Sequence, residues 1–177
     1  TSSDWTVATN WTDDIGPVTG IQYAYITGGT PTFSTGTSFN LRGIRLWGGT
    51  LTVSGGTFSA NALSSAETHF DSAMVQTGGV VDINALEIGR TAGKTGSVVV
   101  SGGSFTVGRS TGTPSNSLYI GSNRSTTAGT GSFEISGGSL VTRTGVKLGH
   151  PSGGGFGKFT VLGSSISQIG IAASNTD

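Results

Sequence analysis

Thr50-Leu51-Thr52-Val53-Ser54-Gly55-Gly56-Thr57-Phe58 decides the fold, because nearly the same phrase returns as Ser132-Phe133-Glu134-Ile135-Ser136-Gly137-Gly138-Ser139-Leu140. In both, two apolar side chains alternate with polar ones, the period of two that marks a half-buried strand. A hydroxyl residue and a glycine pair then turn the chain, and one apolar residue faces inward again. Outward from these copies, the same punctuation stands at Thr27-Gly28-Gly29, Ser54-Gly55-Gly56, Thr77-Gly78-Gly79, Ser101-Gly102-Gly103 and Ser136-Gly137-Gly138, with a degenerate copy at Leu162-Gly163-Ser164. The anchors advance by 27, 23, 24, 35 and 26 residues. A period in the twenties is the signature of a solenoid, in which no unit buries its apolar face alone and stacking supplies the core.

Each unit carries two strands with a readable pattern. The first runs into the glycine pair with Leu51/Val53, Val98/Val100, Phe133/Ile135 and Phe159/Val161 facing inward, and the residues after the corner, Phe58, Val81, Phe105, Leu140 and Ile166, are expected to stack on one another. The second strand ends in apolar-x-apolar-Gly. It reads Ile44-Arg45-Leu46-Trp47-Gly48, Leu86-Glu87-Ile88-Gly89, Leu118-Tyr119-Ile120-Gly121, Val146-Lys147-Leu148-Gly149 and Ser167-Gln168-Ile169-Gly170, with Thr68-His69-Phe70-Asp71 in the equivalent place. Two or three short strands per turn, glycine corners and no helical period predict an all-β, single-stranded parallel β-helix of about six coils, right-handed by the rule for parallel crossovers. An open coil end exposes core and sheet edge, so residues 1–20 are expected to form an N-terminal cap, with Trp5 and Trp11 reaching toward Trp47. Residues 21–170 then form the β-helix repeats and 171–177 a tail. The long interval between Ser101 and Ser136 holds two turn-rich insertions, 108–117 and 122–128, expected to project from the rod.

Composition narrows the function classes. Nine basic and nine acidic residues give zero net charge, without the basic face that nucleic-acid binding requires. Thirty-two glycines with only four prolines and no Gly-X-Y register exclude collagen, and the recurring Val, Ile, Leu and Phe argue against disorder. No stretch reaches the ~20 consecutive apolar residues of a membrane span, so no membrane insertion is expected. There is no cysteine and hence no disulfide framework. A start at Thr1 without a charged-then-apolar leader fits a mature secreted form or an excised fragment. The Ser/Thr/Gly/Asn-rich, weakly charged surface favours an extracellular setting.

The chemistry-bearing residues are sparse. His69 and His150 are coils apart, and Asp13-Asp14 lacks the alternating ligands of a calcium loop, so neither a metal nor any other cofactor is expected. Among the acids, Glu67/Asp71 and Asp82/Glu87 are near neighbours in adjacent coils, and Arg90 and Lys94 follow Glu87 closely enough for a lyase or hydrolase to be one alternative. The stronger candidate is a column of outward positions on the second strand: Arg45, His69, Glu87, Tyr119, Lys147 and Gln168. Planar and hydrogen-bonding groups at constant spacing on a flat face suit an extended glycan, with Tyr119 offering an apolar surface to a sugar ring. Arg90, Asn123 and Arg124 flank the column in corner loops, as do Lys94 and His150. The plainer account is an ordinary solvated strand face whose mixed charges favour register and solubility. An ice-binding face would need a flat threonine ladder, and Val99 and Glu134 interrupt the one begun by Thr52 and Thr160.

The repeat resembles that of bacterial surface proteins with autotransporter-associated β-strand repeats, whose units read roughly Gly-x-Leu-x-Val-x-Gly-Gly-x-Leu. Gly49 to Phe58 and Gly131 to Leu140 carry the resemblance, and the Trp5 to Trp11-Thr12 segment followed by Gly16-Pro17 is similar to the start that caps such rods. The resemblance covers about residues 4–170 and implies a secreted or surface-anchored β-helix, part of a larger multidomain protein. The combined expectation is a non-catalytic module binding polysaccharide or a cell-surface glycan. A structural stalk or adhesin segment without a small ligand is the alternative from a different class.

Overall fold

The computed structural model describes residues 4–5, 7, 22–34, 38–61, 68–108, 118–121, 129–149, 155–163 and 166–169. Every regular element among them is a strand. The first coil is β1 (Tyr23–Thr27), β2 (Thr32–Phe33) and β3 (Ser38–Asn40); the second is β4 (Gly43–Gly48), β5 (Thr50–Val53) and β6 (Thr57–Ala60). The third runs through β7 (Thr68–Phe70), β8 (Ala73–Gln76) and β9 (Val80–Ile83), and the fourth through β10 (Leu86–Ile88), β11 (Thr95–Val100) and β12 (Ser104–Val107). The fifth holds β13 (Leu118–Ile120), β14 (Thr130–Ile135) and β15 (Ser139–Thr142), the sixth β16 (Val146–Leu148), β17 (Phe156–Val161) and β18 (Ile166–Ile169).

Corresponding strands of successive coils pair in parallel, giving three six-stranded sheets: β1-β4-β7-β10-β13-β16, β2-β5-β8-β11-β14-β17 and β3-β6-β9-β12-β15-β18. This is a parallel β-helix with three strands per coil, and at one inter-strand spacing per coil the six coils span about 25 Å.

The core is the set of inward columns. In the second sheet Leu51, Met74, Val98, Phe133 and Phe159 are consecutive register partners, and in the third Phe39, Phe58, Val81, Phe105 and Leu140 are. Apart from Phe39 and Phe159, which pack partly buried against the core, these side chains are fully buried. In the sixth coil the third-sheet column departs from the expectation. Ser167 pairs with Leu140, whereas Ile166 pairs with Ser139, one position out. The core also takes in a polar side chain, because Gln76 occupies an inward place between Val53 and Val100. Its Nε2 donates to the carbonyls of Gly78, Gly79 and Ser104 at 3.1–3.3 Å, which removes much of the penalty of burying an amide.

The hydroxyl-Gly-Gly corners stack between the second and third sheets, and Gly78, Gly102 and Gly137 each lie so close to the preceding coil that a Cβ would stand 2.3–2.6 Å from the carbonyl oxygen of Ser54, Thr77 or Ser101. Thr27-Gly28-Gly29 does not belong to this set. It ends β1, and Thr27 pairs with Gly48, so it forms the other corner, between the first and second sheets. A small polar residue with two glycines satisfies either corner, so the pattern alone does not distinguish them.

At the N-terminal end Asp4 bridges to Thr32 in parallel, the Trp5 amide donates to the Thr32 carbonyl at 2.9 Å, and the Trp5 ring is buried edge-on against Phe33, Phe39 and Phe58. Trp5 thus covers the interior of the first coils, whereas Trp47 stands on the outer surface against Tyr25, so the expected contact of Trp5 with Trp47 does not form. Trp11, both long insertions apart from Gly108, and the tail 171–177 lie outside the described residues.

Candidate functional site

The outward column of the first sheet forms as a register, strand by strand. Tyr25 pairs with Arg45, Arg45 with His69, His69 with Glu87, Glu87 with Tyr119, and Tyr119 with Lys147. Five of the six residues expected in the column are therefore neighbours. Gln168 is not: it lies in β18 and pairs with Val141 of the third sheet. Its strand follows the degenerate Leu162-Gly163 corner and fills the place after the glycine pair, so the Ile-Gly ending that suggested the first sheet misassigned it. Tyr25 is the rung that sequence reasoning missed, although the alternation of Tyr23-Ala24-Tyr25-Ile26 carries the signal. Asn123, Arg124 and His150 lie outside the described residues.

The face is not uniformly exposed as a plain strand ladder would be. His69 and Glu87 are 3% exposed and Tyr119 7%, whereas Tyr25 is 49% exposed and Lys147 is open to solvent. In the middle, Glu87 sits 3.2 Å from Arg90 Nε and 3.5 Å from His69 Nε2, and Arg90 Nη1 lies 2.8 Å from His69 Nδ1. Asp71, which takes the place glycine holds in neighbouring coils, accepts bonds from the Thr91 amide at 3.0 Å and the Thr91 hydroxyl at 2.5 Å, and so anchors the turn that carries Arg90. Lys94 stands exposed on that turn. Asp82, paired in sequence reasoning with Glu87, is on the third sheet, where Asn61 donates to it at 2.5 Å. Burial pushes its carboxyl above the ordinary range, against the opposing pull of Arg143 and Asn61. The two acids do not converge.

Both ends of the column join aromatic rings to cations. Lys147 Nζ lies 4.9 Å from the Tyr119 ring centroid and donates to its hydroxyl at 3.4 Å. At the other end the β1–β4 register slips by one residue after Ile26, skipping Trp47, and this bulge leaves Trp47 46% exposed with its ring 5.6 Å from Tyr25. Tyr23 lies 6.3 Å from Tyr25 on the same strand. Arg42 and Arg45 each hold a guanidinium 5.2 Å from the Tyr23 centroid, and Arg45 is also 5.6 Å from that of Tyr25. Tyr23, Arg42 and Trp47 were not expected at a binding face.

Fold and face together define a repeat protein of the parallel β-helix class. Comparison with protein-family models, with curated proteins and with solved structures finds no match. Among the described residues no group of three or more His, Asp or Glu is placed to hold a metal ion, and no helix is long and apolar enough to cross a membrane.

Proposed function

We propose that the protein is a non-catalytic module that binds an extended polysaccharide or cell-surface glycan along the outer face of the first sheet. The observation that carries this reading is the column itself: six coils in register, with tyrosine rings beside cations at both ends, and with Tyr25 and the Trp47 ring packed against it half exposed. A sugar ring offers C–H groups to an aromatic face and hydroxyls to charged donors, and a rigid sheet holds such groups without ordering cost on binding. Catalysis is less well supported, because the Glu87 carboxylate is enclosed by His69 and Arg90 rather than open to a substrate. The resemblance of the repeat to autotransporter-associated β-strand repeats supports placing the module outside the cell, in a larger surface protein.

The test is retention on insoluble polysaccharides and retardation by soluble ones, with product analysis on the same samples. Tyr25→Ala combined with Trp47→Ala is expected to abolish retention while the protein stays folded. Released sugar ends would instead mark an enzyme. A structural stalk is the second reading, favoured by Leu148 and Val161, exposed on the sixth coil although their register partners Ile120 and Ile135 in the fifth are fully buried, so that another coil would cover them in a longer rod. It predicts no retention on any glycan.

A further inference from the structure

The cluster at the N-terminal end of the face carries more chemistry than a neutral sugar needs. Gly43 is the register partner of Tyr23, so no side chain stands opposite that ring, and Arg42 and Arg45 both reach it. Neither guanidinium is in an ion pair among the described residues, and the Nε of each is buried without a hydrogen-bond partner. The nearest acid along the column is Glu87, two rungs or about 10 Å from Arg45, and it is engaged by His69 and Arg90. Two cations are therefore held side by side over tyrosine rings with no acid among the described residues paired to them, in a molecule whose net charge is zero. A guanidinium above an aromatic ring keeps N–H groups at its edge for a planar anion, and carboxylate or sulfate meets that edge in paired, charge-assisted bonds.

We infer that Tyr23, Tyr25 and Trp47 with Arg42 and Arg45 form a subsite for an acidic sugar unit, its ring on the exposed Tyr25 and Trp47 faces and its carboxylate or sulfate on the two arginines. This rests on the glycan-binding reading and narrows it to anionic polysaccharides. An anion here replaces solvent around charges that are already positioned, whereas a neutral sugar would leave them unmatched.

The experiment measures affinity of the intact protein for linear polygalacturonate and for the same polymer with its carboxyl groups reduced to alcohols, at low and high salt. The expected result is binding to the acid polymer that falls about tenfold or more on carboxyl reduction or with Arg42→Gln plus Arg45→Gln, and that weakens with salt. Because the ligand is changed as well as the protein, a poorly folding variant does not blunt the test. Equal affinity for both polymers, lost in Tyr25→Ala with Trp47→Ala, would overturn the acidic subsite and leave the glycan reading standing. No affinity for either, nor for sulfated or neutral polysaccharides, would remove both. Binding to a single-stranded DNA homopolymer but to no acidic polysaccharide would overturn the inference in favour of a nucleic-acid face.

Discussion

Single glycines and acids set the tolerances of this rod. Gly89 adopts φ +65 at a corner where a Cβ would stand 2.0 Å from the Thr130 carbonyl oxygen, whereas Gly93 adopts φ +74 in open space. Gly93→Ala is expected to cost only the left-handed strain, about 1–2 kcal/mol, while Gly89→Ala adds a backbone collision and should cost more than about 3 kcal/mol or prevent folding. Denaturant melts of the two variants separate these effects, and equal losses would show that coil-to-coil contact does not govern the corner. Asp82 yields a pH prediction. Its folded pKa is raised, so between the ordinary carboxylate range and that raised value the folded state holds more protons than the unfolded one, and stability falls as pH rises through the window. Asp82→Asn removes the titrating group and should flatten this descent; melting temperatures from pH 4 to 7 for both proteins check it. The apolar alternation that builds the core was legible residue by residue. The burial of Asp82 was not, because it depends on what neighbouring coils place around an outward position.

At the scale of the strand, stability comes from columns rather than from any one element. Phe133 of β14 is fully buried between Phe105, 5.3 Å away edge-on, and Phe159, 5.7 Å away. Phe133→Ala should cost about 3–5 kcal/mol through lost transfer energy and a cavity that the stacked strands cannot collapse. A loss below about 1 kcal/mol in urea titration would contradict the register. The first-sheet column shows the limit of strand-level reading. Arg45, His69, Glu87, Tyr119 and Lys147 were placed correctly because each occupies the middle of the same apolar-x-apolar phrase. Gln168 was misplaced because one three-residue phrase followed by glycine fits either sheet, and register pairing with Val141 rather than with Lys147 decides the matter. Trp47 could be read as one more strand residue, yet the slip in pairing after Ile26 makes it a bulge and turns its ring toward Tyr25.

For the whole molecule, nearest-neighbour stacking makes stability a sum of coil and interface contributions, so damage at one end should stay near that end. Trp5, 1% exposed over Phe33, Phe39 and Phe58, holds the first coils. Trp5→Ala is expected to raise amide exchange in β2, β3, β5 and β6 while β11 and β14 keep their protection; hydrogen exchange read strand by strand checks this, and uniform loss would mean the rod unfolds as one unit. The repeat phrases by themselves determined the all-β solenoid, its six coils and most inward columns, because a period of two and a hydroxyl-glycine corner are local properties that each unit states for itself. Only the tertiary structure decided that there are three sheets, which corner each glycine pair serves, and that His69 and Glu87 are buried. It also brought Arg42 and Arg45 over the Tyr23 and Tyr25 rings and set Trp47 against Tyr25. Those outcomes depend on pairing between residues some twenty positions apart, where a one-residue slip moves a side chain from one face to the other and no local pattern records it.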